Sequence, residues 1–253
     1  MESDPLLLLA VAAWCFAVAL VGGAVGLVFG NIRLPAIVAV ASGPAAGAGA
    51  NVGISGIAAT AAAIVHIRAG RIDWRVFAWM APPSMVGAIA GGYASGLLPD
   101  TALLIAIAVT LLYFCVRLLR PSDGGRPRRG EQASPNVAGV VLSGFGIGLL
   151  GGLIGLILGA LRMPALLRWV GGSAHQAVGT NLAVGVCVGI AGVLGHSPAG
   201  VDWDLLAIGG AASVPGALLG SRLTGRLSEP ALLKGIGAML VVAGGAMLLQ
   251  AAL

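Results

Sequence analysis

Long apolar stretches alternate along the chain with short breaks that are rich in glycine, proline or charge. The longer stretches cover residues 6–29, 51–67, 76–98, 101–119, 137–158, 177–194, 205–223 and 231–253. A helix needs roughly 20 apolar residues to cross a hydrocarbon core of ~30 Å, and backbone polar groups inside lipid must be satisfied within the chain. The short alternating strands of a membrane β-barrel are not present. The pattern therefore predicts an all-α, multi-pass membrane protein.

The pattern restarts after residues 120–136, a stretch rich in Pro, Gly, Ser and Arg that is typical of a solvated linker. Two parts of the halves match at an offset of 129 residues, namely 22–35 with 151–164 and 73–74 with 202–203. Between them, Asn51 matches Asn181 if one residue is inserted and later deleted. Such duplication is common in secondary transporters. It predicts an N-terminal transmembrane repeat (1–119), a cytoplasmic linker (120–136) and a C-terminal transmembrane repeat (137–253).

Two short apolar pieces, residues 36–41 and 165–170, determine how the repeats are oriented. If each piece dips into the membrane and returns, the repeats are parallel and the 14 cations split 8 inside to 6 outside. If each piece completes a crossing, the repeats are inverted and only Arg162 and Arg168 lie outside, a split of 12 to 2. The positive-inside rule favours the second arrangement, with both termini outside. We therefore expect inverted repeats, each with about four transmembrane helices and one short broken or re-entrant helix.

Composition narrows the class of protein further. Hydrophobic residues make up 58% of the chain and charged residues only 9%, whereas soluble domains are about a quarter charged. The net charge of +5 does not indicate nucleic-acid binding, because most cations lie in two short loops, where they set membrane orientation. Three isolated cysteines give neither a disulfide framework nor metal-ligand spacing. We expect no cofactor and no metal.

A Gly-x-x-Arg-x-Pro break that occurs once in each half carries the candidate chemistry. Since proline suits the first turn of a helix, short helices are expected to begin at Pro35 and Pro164, with N-terminal N–H groups that favour anions. Arg33 and Arg162 would add two fixed cations near one axis, which suits a small anionic substrate. The alternative is that both arginines extend to the membrane surface beyond full-length preceding helices.

Polar side chains in the next apolar stretches form a second candidate group. Its members are Asn51, Ser55 and Thr60 in the first half and Thr180 and Asn181 in the second. Asn51, Thr180 and Asn181 are expected to bind substrate oxygens, with helix capping or helix–helix hydrogen bonds as the alternative. Asp73 and Asp202, each followed by Trp, are predicted to cap the next helix.

The histidines and carboxylates bear on proton chemistry. His66 and His175 are candidate proton carriers, although a single histidine at a helix end is typical of the membrane interface, and His196 is predicted to lie in a loop. No carboxylate lies in the middle of a predicted span, so an acidic proton or sodium relay is not indicated. No nucleophile–base pair is present, and an enzyme is not expected.

Each half contains a glycine-rich first helix, a glycine cluster, a proline-led apolar piece and an Ala-x-Gly-Thr-Asn-like segment. The matching residues are Gly151-Gly152, Gly155, Gly159, Pro164 and Ala177-Val-Gly179-Thr180-Asn181, with Gly22-Gly23, Gly26, Gly30, Pro35 and Asn51 in the first half. In these motifs nearly the whole chain resembles the sulfite exporter TauE/SafE family of bacterial membrane permeases. Two glycines of the family's Gly-x-Gly-Gly-Gly cluster are bulky here, and Arg33 and Arg162 stand where the family has apolar residues.

The resemblance implies export of small organosulfur or related anions across the bacterial inner membrane. We expect a secondary transporter that works by alternating access on sulfite, an organosulfonate or a related organic anion. An anion channel and a non-catalytic membrane subunit of a larger complex are the alternatives. The lipid bilayer and the anion are the expected partners. A coupling proton or sodium ion and a homodimer are left open, and nucleic acid is not expected.

Overall fold

Eight α-helices make up the part of the chain that this computed structural model describes, namely residues 5–99, 101–102, 105, 137–169 and 174–224. They are α1 (Pro5–Val25), α2 (Gly30–Val40), α3 (Pro44–Arg68), α4 (Trp74–Ser95), α5 (Val137–Ile154), α6 (Gly159–Trp169), α7 (Ala174–His196) and α8 (Trp203–Thr224). The predicted linker at 120–136 and the run at 231–253 lie outside the described residues, as does most of the run at 101–119. All regular secondary structure in the described ranges is helical.

Five of these helices, α1, α3, α5, α7 and α8, are long and apolar enough to cross a membrane. The helices α2 and α6 are short, with 11 residues each. At 1.5 Å per residue each is about 16 Å long, which is less than the thickness of a hydrocarbon core. The described part of the chain therefore has the architecture of a multi-pass helical membrane protein, as the apolar pattern predicts.

Glycine turns end the first helix of each half. Gly26 and Gly155 both adopt a φ of 71°, a left-handed conformation that glycine adopts without steric cost. The next residue then bonds back into the helix, with Leu27 N–H donating to the Gly22 carbonyl at 2.9 Å and the equivalent bond of the second half at 2.7 Å. This is the Schellman arrangement of a helix C-terminus. It ends α1 and α5, and four residues separate each of these helices from the short helix that follows.

Aspartates start the last described helix of each half. Asp73 Oδ1 accepts hydrogen bonds from the N–H groups of Arg75 and Val76, both at 3.0 Å. Asp202 Oδ1 accepts one from Leu205 N–H at 3.2 Å. These contacts satisfy N–H groups that have no partner within the helix, so the predicted caps are confirmed.

The central pair of helices, α3 and α7, crosses where glycines face each other. Gly56 lies against Gly189 and Val52 lies against Gly192. The residue number rises along α3 as it falls along α7, so these helices are antiparallel. A methyl group added to Gly56 would lie 2.9 Å from the Gly189 Cα, so the close approach requires glycine.

Two flanking pairs, α1 with α8 and α4 with α5, are instead parallel. Their register follows from four backbone contacts: Phe16 O against Gly216, Leu20 O against Gly220, Ser84 O against Gly148 and Ala88 O against Gly152. The first helix of each half therefore packs beside the last described helix of the other half. The short helices α2 and α6 lie against α3 and α7, respectively.

Candidate functional site

Arg33 is held by protein oxygens inside the bundle. It is only 1% exposed, and its Nε donates to Asn51 Oδ1 at 2.9 Å. Its Nη2 donates to the Asn51 carbonyl at 3.2 Å and to Ser55 Oγ at 2.6 Å. Because Asn51 and Ser55 are four residues apart on α3, they present their oxygens from one helix face to the guanidinium.

Arg162 holds the equivalent position in α6 and is also 1% exposed. Within the described part of the chain, however, none of its three guanidinium nitrogens has a hydrogen-bond partner, and neither does Asn181 Oδ1. Gly159, three residues before Arg162 in α6, lies against the Asn181 side chain of α7. A buried charge without an acceptor costs several kcal/mol. Because both arginines are buried, the alternative in which their side chains extend to the membrane surface does not hold.

Two asparagines tie the halves together near these arginines. Asn51 Nδ2 donates to the carbonyl of Gly155 at 2.8 Å, and Asn181 Nδ2 donates to the carbonyl of Gly26 at 3.3 Å. Each asparagine thus contacts the glycine turn of the other half. Asn51 also donates to the Gly30 carbonyl at 3.2 Å. The structure therefore brings Arg33, Asn51 and the turn of the second half together, and places Asn181 at the turn of the first.

The short helices do not begin at the prolines, so that prediction is wrong. α2 begins at Gly30 and α6 at Gly159, and Pro35 is the sixth residue of α2. Proline removes one hydrogen bond from the interior of a helix, but the upstream glycine turn determines where each helix starts. The N–H groups after Pro35 and Pro164 are consequently interior to their helices.

The positively polarised N-terminal ends of α2 and α6 lie beside the asparagines. A methyl group added at Gly30 would meet Asn51 Nδ2 at 3.2 Å, and one at Gly159 would meet Asn181 Nδ2 at 2.7 Å. The first turn of each short helix therefore lies against an asparagine. At the α6 end, the partial positive charge of the helix N-terminus adds to the charge of Arg162.

Capping by the asparagines and Thr180 is also wrong, because all three lie within helices. α3 begins at Pro44 and α7 at Ala174. Thr180 Oγ1 instead accepts a hydrogen bond from Asp73 N–H at 2.9 Å, which connects α7 to the turn before α4. Thr60 bonds within its own helix, to the Gly56 carbonyl at 2.8 Å. Thr180 and Thr60 are therefore engaged in structural contacts.

His66 and His196 are both fully buried. His66 lies in the last turn of α3, and His196 is the last residue of α7, so the loop position predicted for His196 is wrong. His196 ends α7, where its Nε2 contacts the Gly152 carbonyl at 2.7 Å and its Nδ1 contacts Ser95 Oγ at 3.0 Å. Neither ring nitrogen of His66 has a hydrogen-bond partner in the part of the chain that the structure describes. The two halves thus differ at the histidines as they do at the arginines.

A small cavity adjoins Arg33. Its lining is mostly apolar and includes Phe29, Leu182 and Ala217, and about 10 Å³ of it is open to the centre of a water molecule. That volume corresponds to roughly one water, so the cavity does not hold an anion in this conformation.

Sequence reasoning missed the importance of Gly185. With Asn51 matched to Asn181, Ser55 falls on Gly185. The exchange of a hydroxyl for hydrogen beside an otherwise matching asparagine is visible in the sequence. Its significance depends on the Arg33 hydrogen bonds, which the sequence does not reveal.

Comparison with known proteins identifies relatives. The family model described as "Sulfite exporter TauE/SafE" matches residues 11–247. A Bacillus subtilis (strain 168) protein named "Probable membrane transporter protein YjnA" is 33% identical over 144 residues, which are 56% of this chain and 54% of that protein. The match therefore spans about half the length of that relative. No solved structure matches the chain.

Proposed function

Because the chain belongs to the sulfite exporter TauE/SafE family, we propose that it exports a small anion, such as sulfite or an organosulfonate, by alternating access. It is a membrane transporter by family, and we place it in the bacterial inner membrane. The observation that carries the choice of an anion is Arg162, a buried guanidinium whose three nitrogens have no hydrogen-bond partner in the ranges that the structure describes. An anion supplies both the charge and the oxygens that this group lacks.

The candidate residues divide into a binding group and a supporting group. Arg162 binds the anion, with the first turn of α6 adding its partial positive charge. Asn181 borders the site and orients the turn at Gly26. Arg33 and Asn51 support the opposite side of the bundle, since their polar groups already bond to each other. Thr180 joins the helices around the site, and Pro35 and Pro164 shape the short helices.

Inverted repeats provide the conformational change in this proposal. The antiparallel packing of α3 and α7, together with the parallel packing of α1 with α8, supports opposite membrane orientations for corresponding helices of the two halves. The inverted arrangement puts 12 cations inside, including Arg33, and 2 outside, including Arg162. Because these two arginines are buried in the protein, 11 cations remain inside and 1 outside. That split agrees with the positive-inside rule. Rocking of one repeat against the other would expose the site alternately to each side.

His66 is the residue we propose for proton coupling. It is buried, and neither ring nitrogen has a hydrogen-bond partner among the described residues. The Arg71 N–H donates to the His66 carbonyl at 2.9 Å, so the turn that carries this cation lies beside His66. A proton on His66 would therefore be favoured when an anion occupies the protein, which would couple proton and anion movement.

Counterflow in proteoliposomes tests the function. Vesicles loaded with unlabelled sulfite should accumulate labelled sulfite through the wild-type protein, with saturation. Arg162→Gln should abolish this uptake, whereas Arg222→Gln, which changes an exposed arginine, should leave it intact. Unsaturable flux without counterflow would identify a channel. Equal uptake by the Arg162→Gln protein and the wild type would overturn the role of Arg162.

A further inference from the structure

Two arginines at equivalent positions, both 1% exposed, have opposite hydrogen-bond states. Counting only described residues, Arg33 makes three hydrogen bonds to neutral oxygens, whereas Arg162 makes none. A difference in burial therefore cannot explain the contrast. The explanation must lie in the residues that surround each guanidinium.

One substitution between the halves accounts for a missing partner. Ser55 supplies the shortest bond to Arg33, at 2.6 Å from Oγ to Nη2. The corresponding residue of α7 is Gly185, which carries no hydroxyl. The correspondence is also spatial, because α7 matches α3 in its contacts: Gly49 lies against His196 as Gly179 lies against His66.

The space beside Gly185 accepts a side chain. A methyl group added there would lie 3.4 Å from Ala59 Cβ and 3.5 Å from Ile157 Cγ2, which are ordinary van der Waals distances. The Cβ of a serine would therefore fit without displacing its neighbours. Packing at the Cβ position therefore does not require glycine at residue 185, whereas it does at Gly56.

We propose that the protein has a single anion site rather than two symmetric ones, and that Gly185 creates it by leaving open the position that the Ser55 hydroxyl fills in the other half. This inference rests on the proposed function and deepens it. The pattern of bonds to Arg33 also indicates the class of ligand. Nε and Nη2 of Arg33 are both occupied by oxygens, so the equivalent edge of Arg162 suits an anion with two oxygens, such as sulfite, a sulfonate or a carboxylate. A halide ion, which is a single sphere, lacks that geometry.

The experiment exchanges the two residues. Gly185→Ser should give Arg162 a hydroxyl partner and weaken equilibrium sulfite binding by about tenfold or more. Gly185→Ala is the matched control, because it adds the Cβ without the oxygen and should stay within about threefold of the wild type. Chloride at equal ionic strength should not compete with sulfite. Equal affinity of the Gly185→Ser and wild-type proteins, or equal losses for serine and alanine, would overturn the inference.

A second readout separates failure of this inference from failure of the proposed function. Without any anion, Gly185→Ser should raise the midpoint of thermal unfolding relative to Gly185→Ala, and Ser55→Gly should lower it relative to the wild type. If the wild-type protein binds no sulfite, sulfonate or carboxylate, the proposed function fails, and the thermal midpoints still show whether the Gly185 position controls the partner of Arg162. Unchanged midpoints for both exchanges contradict the inference even if transport is found.

Discussion

Replacing Asn51 or Asn181 by Ala should affect stability very unequally, although the two asparagines occupy equivalent positions. The side chain of Asn51 makes three hydrogen bonds: it accepts from Arg33 Nε at 2.9 Å and donates to the Gly30 and Gly155 carbonyls at 3.2 and 2.8 Å. With the described residues, the side chain of Asn181 makes one, to the Gly26 carbonyl at 3.3 Å. Both residues are buried, so the two substitutions leave cavities of similar size.

The difference in magnitude follows from this count. A hydrogen bond to a charged group contributes about 1.5–3 kcal/mol and a neutral one about 0.5–1.5 kcal/mol. Asn51→Ala loses one charged and one neutral bond more than Asn181→Ala. We therefore expect Asn51→Ala to lower the free energy of unfolding by about 2–4 kcal/mol more than Asn181→Ala does.

The assay is unfolding by sodium dodecyl sulfate in mixed micelles, followed by circular dichroism, with both variants and the wild type in the same detergent. The free energies of unfolding are compared at one detergent composition. Equal losses of unfolding free energy for the two variants would refute the claim that Asn51 bonds to Arg33 while Asn181 makes no such bond to Arg162. A larger loss for Asn181→Ala would do so more strongly.

Two further comparisons test the packing. Gly155→Ala should destabilise the protein by at least about 1 kcal/mol, because alanine is disfavoured at a φ of 71° and its methyl would collide with the Ala48 backbone. The same detergent titration measures this loss. The control is Gly146→Ala, which has open space around its Cβ position and should stay near the wild type. His196→Leu should lower the free energy of unfolding by about 1–3 kcal/mol because it removes the hydrogen bonds to the Gly152 carbonyl and to Ser95 Oγ. His66→Leu should be close to neutral, since the His66 ring makes no hydrogen bond to the described residues. Equal effects of the two histidine changes would contradict the bond assignments.

Much of the helical architecture could be predicted from the sequence, because apolar length and glycine breaks directly reflect the thickness of the membrane. The aspartate caps followed from local chemistry alone. The starts of α2 and α6 could not be predicted from Pro35 and Pro164, since proline is also tolerated inside a helix and the glycine turn at Gly26 determined the boundary. A local preference was overridden by the conformation of the preceding residues.

The residues of the candidate site could be predicted from the sequence, but their hydrogen bonds could not. Arg33, Arg162, Asn51 and Asn181 were identifiable as repeated polar residues in apolar surroundings. Which arginine has partners depends on the packing of α2 against α3 and of α6 against α7, and on the exchange of Ser55 for Gly185. The burial of His66 likewise depends on the approach of Gly179 from a distant part of the chain, which no local pattern reveals.

Equilibrium binding of radiolabelled sulfite to purified protein tests most directly the claim that Arg162 is the anion-binding group. The wild-type protein and Arg222→Gln should bind sulfite with equal affinity, whereas folded Arg162→Gln should bind it about tenfold or more weakly. Undiminished sulfite binding by folded Arg162→Gln would contradict the account.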